Sequence, residues 1–396
     1  MLTQSTNAAS ASTAAQGWIR RLAQNLMVAA AALAACLLLA EAAARIFLPA
    51  PFRADRSAIV AERELRKPAS REAWQLLHLP DPALGWVLTD HIRYRKRLID
   101  SAGVLQYDAT YTVESGRRRT PAAPPAPGLK SAPPVVIAAG CSFTFGHGLD
   151  DEDTWPWLLQ EQLPERQVLN AAVMGYGTDQ ALMAAERQLR LHPAEAVILG
   201  FGDFQIERNR GPQGWLVSVY PFSKPLFTVR SGRAEYVRQV RFWPGGPLAD
   251  YSNFFGRFVN ALANRIYNVP SHDQARELTI ALIATYAARF QALGTRLAVA
   301  VLPYAGDNGP QERLDRALVI GRLNALGIPV MTMTLPRASD GSIDVGQYMV
   351  SKIDRHPNRR YNQTLVEQMV PFLRDNGLVG AQAEARVAAR NLSRKR

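Results

Sequence analysis

The chain has 396 residues, 47% of them apolar, with 14 Phe and 7 Trp, enough for one main folding unit with additions. A net charge of +12 favours anionic partners such as a phospholipid surface or an acidic glycan. Without zinc-finger spacing, a helix-turn-helix or an aromatic RNA-binding signature, nucleic acid is set aside. The two cysteines, Cys36 and Cys141, stand in an apolar run and in a turn, which excludes a disulfide framework.

Residues 1–21 begin Ala/Ser/Thr-rich and read as a disordered tail. Arg20 and Arg21 precede 22–40, about 19 residues without a charge and close to bilayer length. Apolar character continues to 48, so a transmembrane signal anchor over 22–48 is the favoured reading. A cleaved signal peptide with Ala40-Glu41-Ala42 as its site competes, as does a lipoprotein with Leu33-Ala34-Ala35-Cys36 as its lipobox; Leu37-Leu38-Leu39 argues against lipidation. Each reading puts the large domain outside the cytoplasm, the anchor giving a single-pass protein of a bacterial inner membrane facing the periplasm. The flanking arginines, Arg45, Arg53, Arg56 and Arg63 on the far side, argue for the reverse orientation.

Residues 49–133 read as a charged stalk, a small β segment with a strand over 104–113, and a stiff Pro-rich linker. The β segment is taken as a packing hairpin. From 134 to 380 the pattern alternates. Strands are expected at 135–139, 168–171, 196–201, 296–302 and 329–334, and helices at 179–191, 276–293, 311–326 and 361–373, which is an α/β domain with a parallel sheet. Residues 211–267 break the rhythm and read as an insertion over the site. Its Trp215, Tyr220, Phe222, Phe227, Tyr236, Phe242, Trp243 and Tyr251 are taken as a small core rather than as sugar-stacking platforms. Residues 381–396 form a basic tail.

Val135-Val136-Ile137-Ala138-Ala139 is a short β-branched run ended by Gly140, and Ser142 follows in the turn. A serine at the carboxyl end of a parallel strand stands where open α/β sheets place ligands, although a helix cap would look the same. His356 is the histidine with a carboxylate close by in a late loop. Asp354 could accept its second ring N–H and fix the tautomer. His147, His192, His78, His91 and His272 lack that context, and His147 is read as lining the serine turn.

Gly140-Cys141-Ser142-Phe143-Thr144-Phe145-Gly146 resembles the first block of the SGNH (GDSL-type) hydrolases, Gly-Asp-Ser-x-x-x-Gly, with Cys141 in place of the Asp. The run from Val168 to Gln180 is similar to the second block, with Gly175 at the oxyanion-hole glycine. Asp354-Arg355-His356-Pro357-Asn358 is similar to the last block. The resemblance spans 134–373, and Tyr107-Asp108-Ala109-Thr110-Tyr111-Thr112 resembles a segment of membrane-anchored bacterial members. It implies a three-layer α/β/α flavodoxin-like fold, a catalytic Ser142, Asp354 and His356, and an oxyanion hole from the N–H groups of Ser142 and Gly175. Two departures stand out. The Asp–His pair is one residue closer than usual, and Gly202 or Asp203 occupies the place of an Asn that donates to the oxyanion. An ionised Asp cannot donate, so Asp203 and Asn209 are both carried as candidates for that post.

The function the resemblance implies is a serine esterase acting on an O-acetyl or other acyl group of a carbohydrate or lipid. An exopolysaccharide O-acyltransferase with polysaccharide-biosynthesis partners, and a catalytically weak SGNH-fold binding protein, are the alternatives. The missing second Gly of Gly-x-Ser-x-Gly disfavours the α/β-hydrolase fold. Without metal-ligand spacing or a phosphate loop, no metal and no cofactor are expected.

Overall fold

The computed structural model describes residues 5–47, 77–123, 133–211, 223–241, 265, 270–303, 309–337 and 343–380. The stalk, the basic tail and, of the insertion's aromatics, Trp215, Tyr220, Phe222, Phe242, Trp243 and Tyr251 lie outside the described residues. The chain divides into two units, residues 1–56 with 245–268 and residues 57–244 with 269–396.

In the first unit, α1 (Ser5–Phe47) is one continuous helix. The expected disordered tail is therefore corrected: the chain is helical from Ser5. Alanine is the strongest helix former, and a helix nucleated in the apolar run propagates backward through Ala-rich sequence at little cost. The stretch Trp18–Ala44 has a mean hydropathy of 2.2 and is long and apolar enough to cross a membrane.

The second unit opens with a two-stranded ribbon, β1 (His78–Asp81) and β2 (Gly85–Leu88), then β3 (Ile92–Ile99), β4 (Leu105–Glu114) and the short β5 (Arg117–Arg118). The alternating α/β region follows. It comprises β6 (Val135–Ala139), α2 (Ser142–Phe145), α3 (Trp155–Gln162), β7 (Gln167–Asn170), α4 (Thr178–Leu191), β8 (Ala194–Phe201) and α5 (Phe204–Asn209). After the insertion hairpin β9 (Ser223–Arg230) and β10 (Arg233–Arg241) come α6 (His272–Ala292), β11 (Arg296–Val301), α7 (Pro310–Ala325), β12 (Val330–Thr332) and α8 (Arg359–Asp375).

Eight strands form the main sheet in the order β12-β11-β8-β6-β7-β5-β4-β3. The first five run parallel, and β5, β4 and β3 add antiparallel. Alternation along β6 sorts the layers. Ile137 and Ala139 face one core with Leu182 of α4, Ile283 of α6 and Val319 of α7. Val136 and Ala138 face the other, with Leu159 of α3 and Leu365 of α8. A strand buried on both faces reads as a continuous apolar run, as β6 does and as β8 does from Ala196 onward, after Glu195, which pairs with Arg166. The result is the expected α/β/α sandwich with a mostly parallel sheet.

The chain leaves β6 for β7 on one side and returns to β8 on the other. The strand order thus reverses at β6, and the crevice at the carboxyl ends of β6 and β8 is the switch point where such sheets place ligands.

The β segment before the Pro-rich stretch continues this same sheet. Arg118 of β5 pairs with Asn170 of β7. A third core joins Leu77, Trp86, Tyr111 and Val113 of that segment to Phe145, Met174 and Tyr176 beside the sheet's carboxyl end. Trp86 Nε1 donates to the Met174 carbonyl at 3.0 Å, and Tyr176 Oη donates back to the Trp86 carbonyl.

In the insertion, Ser231 and Gly232 have positive φ (47° and 73°), the two-residue turn that suits a right-twisted hairpin. Phe227 is buried and Tyr236 exposed. The buried Lys224 ammonium ties the hairpin to α4 through both Asp179 oxygens, at 2.7 and 2.6 Å.

Candidate active site

Ser142 is the first residue of α2, directly beyond the end of β6. The turn that places it depends on two glycines. A Cβ at Gly140 would lie 2.3 Å from Thr144 Oγ1, and one at Gly200 of β8 would lie 2.2 Å from the same atom. The bare backbones leave a slot that Thr144 fills, which brings the α2 turn down onto the strand ends. Gly146 then closes the turn in the left-handed region (φ 85°), with its N–H donating to the Ser142 carbonyl at 2.9 Å.

The loop before α8 carries the partners. His356 Nε2 lies 2.9 Å from Ser142 Oγ, and His356 Nδ1 lies 2.5 Å from Asp354 Oδ1. The close Asp–His spacing is accommodated because Asp354 Oδ1 also accepts the His356 backbone N–H at 3.1 Å, a local turn that folds the histidine over its carboxylate. Val350 N–H donates to the His356 carbonyl at 2.9 Å, and Asn358 caps α8. Phe143 packs against the His356 ring at 5.4 Å. Ser142, His356 and Asp354 thus form one hydrogen-bonded chain at the switch point. Such a chain can pass a proton from hydroxyl to imidazole while the carboxylate holds the ring.

Asp354 faces two imidazoles. Its Oδ2 lies 3.3 Å from His147 Nε2, and the His147 and His356 rings are 4.3 Å apart at 34°. Burial would raise the Asp354 carboxyl, but the two histidines outweigh it and hold it well below the usual carboxylate range. For His147, burial, helped by Lys96 and His356, lowers the pKa to about 4, so the ring is neutral near pH 7. The donor atoms of His147, Asp354 and His356 converge within 4.8 Å. Both ring nitrogens that face Asp354 are engaged by it, which disfavours their serving a metal.

Gly175 follows β7 with a φ of 82°, a conformation that favours glycine. Its loop is drawn to the serine turn by Val173 N–H donating to the Gly140 carbonyl at 3.4 Å and by Met174 Sδ at 3.0 Å from His147 Nδ1. Among the described residues, neither the Ser142 nor the Gly175 backbone N–H has a protein acceptor.

The structure does not bring the other two candidates to this post. The Asp203 carboxylate is gripped by the Arg316 guanidinium, with Nε at 3.1 Å from Oδ2 and Nη2 on the same oxygen. Asn209 is buried, with its amide donating to Thr279 Oγ1 at 2.7 Å and its oxygen 3.3 Å from the Asp179 N–H. Both are corrected to structural roles. A side chain at Gly202 would meet the Phe204 ring, 2.4 Å from a built Cβ. Phe204 thus occupies the space where a donor at 202 would project.

No family model and no curated protein sequence matches the chain. Solved structures do. TesA aligns with 61% of this chain and 99% of its own at 14% identity and a TM-score of 0.36. The psychrotrophic esterase EstA from Pseudoalteromonas sp. aligns with 61% and 97% at 12% identity and a TM-score of 0.35. A lipolytic protein of the G-D-S-L family from Desulfitobacterium hafniense aligns with 60% and 99% at 15% identity and a TM-score of 0.33. Likeness this distant leaves the chemistry to be read from this chain's own side chains.

The sequence placed His147 only as lining the serine turn and Tyr107 only in the small β segment, and gave Arg118 no role. Tyr107 Oη is 3.0 Å from His147 Nε2. The buried Arg118 guanidinium donates to the carbonyls of Phe145 (2.9 Å), Gly146 (2.6 Å) and Leu149 (2.6 Å) and to Asp151 Oδ1 (3.1 Å), bracing the loop that carries His147. The available signal was the Gly146-His147-Gly148 run, a ring between two glycines of positive φ. An open cavity of about 430 Å³ adjoins the His356 loop, lined in part by Leu149, Val350, Asn358, Arg359 and Arg360.

Proposed function

We propose that the protein is a serine esterase whose nucleophile is Ser142. The observation that carries this reading is the Ser142–His356–Asp354 chain at the switch point, with contacts of 2.9 and 2.5 Å. His356 Nε2 takes the Ser142 Oγ proton as Oγ bonds to the ester carbonyl carbon, and the carbonyl electron pair moves onto oxygen. The Ser142 and Gly175 N–H groups receive that oxyanion. Asp354, ionised, stabilises the imidazolium. Collapse breaks the ester C–O bond, and the leaving alcohol departs with the proton from His356. Water then yields a proton to His356 and attacks the acyl carbon. Ser142 leaves with that proton, and a carboxylic acid is released.

The substrate is an acylated carbohydrate or lipid, most simply an O-acetyl ester. The cavity beside the His356 loop has Arg359, its ion-pair partner Asp153, and Arg360 and Asn358 on its lining, side chains that can bind the hydroxyls of an alcohol portion. Transfer to a second sugar hydroxyl in place of water uses the same steps and would make the protein an O-acyltransferase, with polysaccharide-biosynthesis partners. The stretch Trp18–Ala44 anchors the chain in a bacterial inner membrane, with Ser142 on the periplasmic side.

The test is full-length protein in detergent treated with a fluorophosphonate probe and with p-nitrophenyl acetate. The parent should label and turn over, and Ser142→Ala should do neither while melting at the parent temperature. Equal labelling of Ser142→Ala would remove the nucleophile assignment, and a parent inert to both reagents would favour a binding role.

A further inference from the structure

The Ser–His–Asp chain does not end at Asp354. Oδ1 of this carboxylate takes two N–H groups of His356, from ring and backbone, while Oδ2 faces His147 Nε2 at 3.3 Å. A carboxylate held on one oxygen can still swing about its terminal bond. A donor on the second oxygen stops that motion.

We infer that His147 is a positioning residue of the active site, holding Asp354 in the plane that orients His356 toward Ser142. This rests on the serine-esterase reading and extends it to a residue of the serine loop.

Three observations argue that the contact is built. The His147 ring is mostly buried and packed at both ends, with Met174 Sδ 3.0 Å from Nδ1 and Tyr107 Oη 3.0 Å from Nε2. Its loop is tied down on both sides: Arg118 binds the carbonyls of Phe145, Gly146 and Leu149, and Gly148 N–H donates to Tyr111 Oη at 2.8 Å. The third is its charge state. The groups bearing on the ring are Asp354, His356, Lys96 and Tyr107, with His78 beyond. Burial, helped by Lys96 and His356, keeps it neutral, and with its one ring proton on Nε2 the N–H lies between Asp354 Oδ2 at 3.3 Å and Tyr107 Oη at 3.0 Å, where it can be shared by both acceptors. A neutral histidine aimed at the carboxylate and not at the serine hydroxyl does not shuttle protons. It holds.

The experiment compares three variants of the full-length protein in detergent. His147→Phe keeps the ring and removes the N–H. His147→Gln restores an amide N–H near the Nε2 position. Tyr107→Phe removes the clamp hydroxyl. With p-nitrophenyl acetate, His147→Phe should lower kcat roughly 10- to 100-fold, the usual effect of losing a hydrogen bond to a charged group, with KM within about twofold. His147→Gln should recover most of that loss, and Tyr107→Phe should cost only a few-fold. Fluorophosphonate labelling rates should follow the same order, with each variant's fold checked by its melting temperature.

A His147→Phe enzyme with parent kcat overturns the inference, as does a folded His147→Gln no better than Phe. Ser142→Ala, assayed in parallel, separates the two levels. If it stays active, the esterase reading falls. If it is inert while His147→Phe matches the parent, only the role of His147 falls.

Discussion

Arg118 reaches across from β5 to donate to the Phe145 carbonyl at 2.9 Å, with its guanidinium 4.8 Å from the centre of the Phe145 ring. A cation at 1% exposure, from a segment that precedes the Pro-rich stretch, thus braces the backbone three residues past the serine. Removing it would leave the Asp151 carboxylate, 3% exposed, with only the Thr112 N–H and the more exposed Arg119 among the described residues, and would take a donor from three carbonyls.

Arg118→Leu is therefore expected to lower unfolding free energy by about 3–5 kcal/mol, the range for breaking one side of a buried ion pair. Arg118→Lys should recover little, because one ammonium cannot span acceptors that a planar fork reaches together. Urea midpoints at constant m-value check both; a Lys variant as stable as the parent would rule out the fork geometry.

Acid should weaken the fold before it discharges Asp354. Burial lowers His78 to about 3 and His147 to about 4. The unfolded chain takes a proton on each near pH 6.5, while the folded chain takes none until those lower values. Between them the unfolded state holds more protons, so stability falls as pH falls, by roughly 1.4 kcal/mol per pH unit per histidine. Asp354, depressed, keeps its stabilising contribution throughout this window. His272 runs the other way: burial opposes its charge, but Glu207 and Asp315 prevail and raise its pKa. Urea midpoints from about pH 8 to about pH 5 should decline, and the decline should be shallower in His147→Gln, which removes one of the two titrations.

Sequence reasoning would have Asp203→Asn improve turnover by supplying an oxyanion donor. The Arg316 pair reverses that expectation. The substitution should leave esterase turnover no higher and cost about 1–3 kcal/mol, since Arg316 loses its charged partner. Gly202→Asn should also fail alone, because its Cβ meets the Phe204 ring. With Phe204→Ala the space opens, and turnover should rise by up to about 10²-fold if the amide reaches the oxyanion. Initial rates on p-nitrophenyl acetate beside thermal melts decide this; a gain from Asp203→Asn alone would place the carboxylate at the site after all.

The orientation of the helix is open to direct measurement. A C-terminal tag on the full-length chain should be digested when protease is added to intact spheroplasts, with the protein itself membrane-bound and uncleaved. A tag protected until lysis would put Ser142 in the cytoplasm, as the arginines after the helix favour, and would exclude an extracytoplasmic polysaccharide as substrate.

Ser142 and the Asp354–His356 pair were each legible locally, while their joining across 214 positions was legible only through the resemblance of their motifs. A β-branched run ending in Gly140 puts Ser142 at a strand end, and Asp354 meets His356 within one turn. The alternating pattern placed the parallel strands for the same reason, since each strand or helix writes its own period. His147 was legible only as a ring beside the serine, because its partners Tyr107, Met174 and Asp354 come from three separate stretches. Arg118 looked like part of a basic turn, and nothing in its neighbours announces that β5 will pair with β7. Asp203 misled for a related reason: the residue that engages it, Arg316, is over a hundred positions away.

The placement of β5 between β4 and β7 has a consequence for synthesis. The strands β3, β4 and β5 leave the ribosome first, yet the edge they must join exists only after β6 and β7 have been made and paired. Until then β5 carries the backbone that will pair with β7, and the apolar Tyr111 and Val113 of β4 lack their partners beyond the hairpin, the kind of surface on which nascent chains cross-pair. Arg93, Arg95 and Arg97 alternate along one exposed side of β3, and Asp108 of β4, which pairs with Arg95 and Arg97, offsets only one of their three charges. Two hairpins from neighbouring ribosomes would meet charge against charge. The waiting hairpin thus carries its own deterrent to misassembly until its sheet arrives.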